Sequence, residues 1–172
     1  MYTKEAIRFS LNLADQGIQG ALANIEDLPT TFPTPNGGCH PLWVAGHLAY
    51  IEGLTHQLLG IGENPLADWG QYFGQGTTPT LNAAQYPQLS EVRARYTELR
   101  NGTLQFLDSL SEAELDTPTT FQPAGLEEHF ATYAKSFLTV ALHQMSHRSH
   151  LTDAVRAAGR MSELTARLQS AA

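Results

Sequence analysis

The chain is short of cysteine, of positive charge and of long apolar runs, and each shortage removes a class of function. Cys39 is its single cysteine, so no internal disulfide can form, which suits a reducing compartment. Ten Lys and Arg stand against seventeen Asp and Glu, a formal net charge of −7. Such a balance opposes binding to nucleic acid or to an anionic membrane surface. No stretch approaches the ~20 apolar residues that a membrane helix needs. Residues 1–16 lack the apolar run of a signal peptide. A soluble, cytoplasmic protein is the expectation. There is no glycine-rich phosphate loop, no repeat and no convincing strand.

What is present is helical periodicity. The 172 residues, 42% of them hydrophobic, suit one domain over 1–172 with a sizeable core. A first helix is expected over 4–26 with Thr3 as its cap and Ile7, Leu11, Leu13, Ile18, Leu22 and Ile25 on its apolar stripe. Residues 27–40 carry Pro29, Pro33, Pro35 and Asn36-Gly37-Gly38 and read as a loop. Pro41 opens a second helix, with Leu48, Ile51, Leu54 and Leu58 inward and Gly60 as its stop. Residues 60–82 form a long Gly- and Pro-rich connection that holds Trp69, Tyr72 and Phe73. A third helix starts near Tyr86-Pro87 and buries Leu89, Val92, Tyr96, Leu99, Thr103, Phe106 and Leu110. After a second connection over 111–125, with a helical turn at 111–114, a fourth helix is expected over 126–158. A break is placed near Thr132, the end at Gly159, and a short amphipathic tail over 162–168. The class is all-α, a four-helix bundle.

The most informative segment is 142–151, which sets His143, His147 and His150 at i, i+4 and i+7. Val140, His143, His147, Leu151 and Ala154 share one stripe, so two imidazoles point where core side chains should. Two His at i, i+4 can hold one metal ion, and a bundle gathers ligands from facing helices. His47 is the best third ligand because it shares the apolar phase of the second helix; His150 either replaces it or serves as an outer or substrate-binding group. Buried core histidines with ordinary partners are the competing explanation. Three neutral imidazoles without an obligatory carboxylate leave a coordination position open, as catalytic metal sites do. Zinc and nickel lead the candidates, with iron and copper behind them.

The remaining candidates carry less. His40 is assigned a capping or surface role, His56 faces elsewhere, and His129 lies too far from the others. Cys39 beside His40 lacks the geometry of a nucleophile pair. Glu52 sits off the His47 face and reads as solvated, as do Arg93, Arg95 and Arg100; Arg148 is expected to meet a carboxylate on a neighbouring helix.

Trp43-Val44-Ala45-Gly46-His47-Leu48-Ala49, followed by His143-x-x-x-His147-Arg148 and Ala157-Ala158-Gly159, resembles the DinB/YfiT-like family of metalloenzymes across essentially the whole chain. The resemblance implies an up-down-down-up bundle with a metal triad at His47, His143 and His147. Where the family often reads His-Arg-Gly-Gln, this chain has His147-Arg148-Ser149-His150. The long connection after the second helix independently allows the third to run parallel to it. It would bring Trp69, Tyr72 and Phe73 towards His47, as a substrate wall or as a minor core. Relatives include S-transferases and isomerases that use bacillithiol or mycothiol. The implied function is therefore transfer involving a low-molecular-weight thiol and a small electrophile. A metal-dependent hydrolase and a non-catalytic metal-binding bundle in stress response or assembly are the alternatives. A homodimer is the expectation from the family and from a charged fraction of only 16%.

Overall fold

The computed structural model describes residues 2–23, 25, 28–32 and 38–170. Of the first helix and loop as read from the sequence, residues 24, 26, 27 and 33–37, with Pro33, Pro35, Asn36 and Gly37 among them, lie outside the described residues. Helix α1 spans Thr3–Leu22 with Tyr2, not Thr3, at its N-cap, and the Glu5 carboxylate accepts the Tyr2 N–H at 3.1 Å. Its buried face is Ile7, Leu11, Ala14, Ile18 and Leu22, and Leu13 points away, 44% exposed. Helix α2 spans Pro41–Leu59 and begins and ends where its residues dictate. Pro41 occupies the first turn, the His40 ring accepts the Trp43 N–H at 3.0 Å, and Gly60 stops the helix with φ of 74°.

The connection that follows contains a 3₁₀ turn, Ala67–Trp69, and the short helix α3, Gly70–Phe73. Helix α4 spans Leu89–Ser109, and helix α5 spans Tyr133–Ser170. The helix expected from residue 126 thus starts at Tyr133. Residues 126–132 form turns instead, because Pro118 and Thr132 make an isolated antiparallel bridge and Tyr133 N–H bonds Thr117 O at 3.1 Å. The Thr132 hydroxyl then accepts the Lys135 N–H at 3.3 Å. Gly159 does not end α5. It is not among the glycines with positive φ, and the helix runs on through the segment expected to be a separate tail.

Paired contacts fix the directions. Arg8 meets Asp108 while Gln19 meets Thr97, so α1 and α4 run antiparallel. His47 meets His147 while Leu58 lies with Thr139 and Val140, so α2 and α5 are antiparallel too. Ile7 shares a cluster with Phe137, and Gly17 lies under Arg148, so α1 and α5 are parallel. The order is up-down-down-up, with α2 packed against both α4 and α5. No described helix is long and apolar enough to cross a membrane.

Two of the residues read as solvated are at the centre of the bundle. Glu52 is fully buried and Arg100 is 1% exposed, and they pair at 3.0 Å. Glu52 also accepts from the Thr103 hydroxyl at 2.7 Å and from the Gln144 amide at 2.6 Å. One carboxylate therefore ties α2 to α4 and α5. Burial works against the Arg100 charge, but Glu52, with Tyr96 and Asp15, outweighs it and raises its pKa. Arg95 pairs with Glu98 on the surface of α4. Arg148 lies across Gly17, and among the described residues no carboxylate is within ion-pairing distance of it.

Candidate metal centre

Just above that polar core, α2 and α5 bring three imidazoles together. His47 is 4% exposed, and His143 and His147 are half-buried. One ring nitrogen of each lies within 4.8 Å of the others, and the described residues hold no other group of three possible ligands. Ring centroids are 5.3 Å apart for His47 and His143, 4.6 Å for His47 and His147, and 4.4 Å for His143 and His147.

The segment Trp43–His47 has a physical job at each marked position. Trp43 stacks one turn before His47, with the planes 7° apart, and its indole N–H donates to Tyr72 O at 2.9 Å and Thr77 Oγ1 at 3.1 Å. Gly46 leaves the room that the Phe73 ring fills, since an added Cβ would overlap it. Phe73 is then placed so that its carbonyl accepts from His47 Nδ1 at 2.7 Å. That bond fixes the proton on Nδ1 and turns the Nε2 lone pair inward, the arrangement that metal-binding imidazoles use. Gly46→Ala is expected to push Phe73 aside, costing about 1–3 kcal/mol by overpacking. Loosening the carbonyl should also weaken metal affinity by roughly 10–100-fold. Urea unfolding and competitive metal titration read the two effects; unchanged affinity would show that Phe73 O does not orient His47.

The residues fit a cation. His47 Nε2 and His143 Nε2 face each other at 3.4 Å. That is long for a hydrogen bond. It is close to the ~3.3 Å edge of a tetrahedral site with bonds of ~2.0–2.1 Å. Nδ1 of His143 and of His147 are buried with no hydrogen-bond partner among the described residues. Burial pushes His47 below the ordinary imidazole range, against the Phe73 carbonyl, which acts the other way. Burial and then the His47 charge push His143 down to about 4. Burial and then the charges of His143, His47 and His150 push His147 down to about 3. All three are therefore neutral near neutral pH, the form that binds metal.

The same shifts set an acid limit. Unfolded imidazoles titrate near ~6.5, above the folded values, so the unfolded chain takes up protons first as pH falls. The metal-free protein should keep the full contribution above that value and lose it progressively as pH falls towards 4 and 3. Calorimetry of the metal-free protein and of a His143→Ala, His147→Ala variant checks this: the parent's Tm should fall more steeply between about pH 7 and about pH 5. Equal slopes would contradict it.

The other candidates take different places. His150 is exposed and lies edge-on against His147, 5.3 Å between centroids, outside the three-imidazole group. Trp69 and Phe73 are buried in the core cluster and Tyr72 packs against it. The tie to the imidazoles runs through the Phe73 backbone. His40 caps α2 and bonds Thr80 O at 2.9 Å; it is 1% exposed, so the surface alternative is excluded. His56 bonds Leu99 O at 2.8 Å. His129 was set aside as too far away, yet it lines one cavity with His143. That cavity, about 460 Å³, takes Gln75 from the long connection but none of its three aromatics.

A family model described as the DinB superfamily matches residues 11–151. The match covers most of the chain, including the three clustered histidines, and the chain belongs to that superfamily. Among curated proteins no relative matches it.

Proposed function

We propose that this DinB superfamily protein is a metal-dependent enzyme in which His47, His143 and His147 hold one divalent transition cation, and that it transfers a small thiol to a small electrophile. The observation that carries this reading is a set of three neutral imidazoles, one with its tautomer fixed by Phe73 O, in a group without a carboxylate or a fourth protein ligand among the described residues. Structural zinc is normally closed by four protein ligands, whereas an open position suits chemistry. When bound, the cation supplies Lewis acidity that favours the deprotonated form of a thiol at that position.

The chain's own residues do the rest. His47 stays oriented because Trp43 and Phe73 clamp it from two sides. Glu52 and Gln144 hold α5 against α2 close below the imidazoles, which keeps His143 opposite His47. Ile51, Leu54 and Val140 give the cavity beside His143 an apolar wall. Zinc and nickel suit three imidazoles best, and iron and copper remain alternatives.

The test is turnover of the full chain with glutathione, cysteine, bacillithiol and mycothiol against a panel of small electrophiles. Thioether formation with at least one thiol is expected, the S–H proton passing to solvent as the sulfur bonds carbon and the electrophile's leaving group departs or its strained ring opens; a chelator should abolish it and added metal restore it. Turnover that survives complete metal removal would overturn the mechanism. Hydrolysis of an electrophile without any thiol would instead assign the open position to water.

A further inference from the structure

We propose that the cavity beside His143 binds a small, uncharged, mainly apolar molecule, and that this molecule is the electrophile. Its role as reactant rests on the metal-centre reading above; its binding does not. The cavity exists because α5 begins late. The turns over 126–132 leave the helix and lay Leu126 and Phe130 opposite Ile51 and Leu54 of α2. Phe130 is fixed there, since the Thr119 hydroxyl donates to its carbonyl and its own N–H bonds Leu126 O at 3.2 Å. Helix α2 is otherwise buried on nearly every side, and Ile51 and Leu54, only partly buried, open into this space. At about 460 Å³ it is far larger than a packing defect. It falls within the ~300–1,000 Å³ range of small-molecule pockets.

The wall selects by what it withholds. It contains no Asp, Glu, Lys or Arg. Both of its hydroxyls are already committed: Thr55 donates to Ile51 O at 2.8 Å and Thr139 to His129 O at 2.9 Å. An ionised ligand would leave water for a wall without Asp, Glu, Lys or Arg, whereas an apolar body loses little by entering. The polar groups that remain are the side chains of Gln75, His129 and His143. A molecule with one polar reactive group and an apolar body can therefore lay its body against Ile51, Leu54 and Phe130 with its polar group towards His143.

The probe is N-phenyl-1-naphthylamine, neutral and fluorescent in apolar surroundings, titrated into the full chain with and without chelator. Its anionic analogue, 1-anilinonaphthalene-8-sulfonate, is titrated alongside. Leu126→Asp puts a charge at the exposed mouth, Leu54→Trp fills the interior, and Leu142→Asp changes an exposed position of α5 outside the cavity. The neutral probe should bind, and bind roughly tenfold or more weakly in both cavity variants, with Leu142→Asp and chelated protein close to the parent. Metal content should be the same in all of them. No binding of the neutral probe, equal binding of the anion, or indifference to both cavity variants would overturn the proposal. Loss of metal or turnover with probe binding intact would count against the metal-centre reading and leave the cavity's ligand class standing.

Discussion

Glu52→Ala is expected to remove about 3–5 kcal/mol of stability, because it strands a buried charge. Arg100 is 1% exposed, and its ion pair with Glu52 is the single close contact it has with an acid among the described residues. Its Nε and Nη1 have no hydrogen-bond partner there. The substitution also takes the acceptor from the Gln144 amide and leaves the Thr103 hydroxyl only Leu99 O, at 3.3 Å. Against a total of ~5–15 kcal/mol for an ordinary domain, this is a large fraction of the stability. The double variant Glu52→Leu, Arg100→Met removes both charges and should recover most of the loss, since a buried pair is often no better than a well-packed apolar one. Urea midpoints of the parent, the single and the double variant decide it. A single-variant loss under about 1 kcal/mol would mean that Arg100 finds water or another partner.

His147→Ala is expected to lower metal affinity by more than the ~10–100-fold that loss of an outer partner costs. His150→Ala should stay inside that range. His147 sits 4.6 Å from His47 and 4.4 Å from His143, centroid to centroid, whereas His150 is exposed and touches His147 alone of the three. Competitive titration with a chromogenic chelator measures both variants. Equal losses would place His150 in the ligand set and force a different arrangement of α5.

Much of this was legible in the chain, for reasons that can be named. Pro41 and Gly60 bound α2 because each suits one end of a helix and not the other. His143 and His147 share an inward stripe with Val140, Leu151 and Ala154, and burial of those apolar residues carries the imidazoles inward. Glu52 was misread because its phase was judged against His47 alone. A better signal was available: Glu52 is the only carboxylate or Lys/Arg in Pro41–Leu59, and a helix so poor in charge is buried all round, which forces its one acid to find a partner. Arg100 carried a matching sign, one turn after the inward Tyr96.

The errors at α5 have a different cause. Leu126 and Phe130 look like one more turn of an apolar stripe, and what stops the helix is a tertiary bridge from Pro118 to Thr132 that no local pattern announces. The break placed near Thr132 falls where α5 begins, but reading 126–131 as helix before it hid the cavity, and with it the part of the wall supplied by His129. The Trp43–Gly46–His47 spacing could be recognised as a motif. Its reason, the docking of Phe73 O on the His47 ring, depends on where residues 70–73 fold back.

The proposed function depends on three imidazoles from α2 and α5 holding one metal ion. Elemental analysis of the full chain as purified, paired with X-ray absorption at the edge of whatever metal is found, tests it most directly. One divalent transition ion per chain is expected, with imidazole nitrogens at ~2.0–2.2 Å, lost in His143→Ala. A parent protein without metal, or metal retained at full stoichiometry when His47, His143 and His147 are all replaced by Ala, would contradict it.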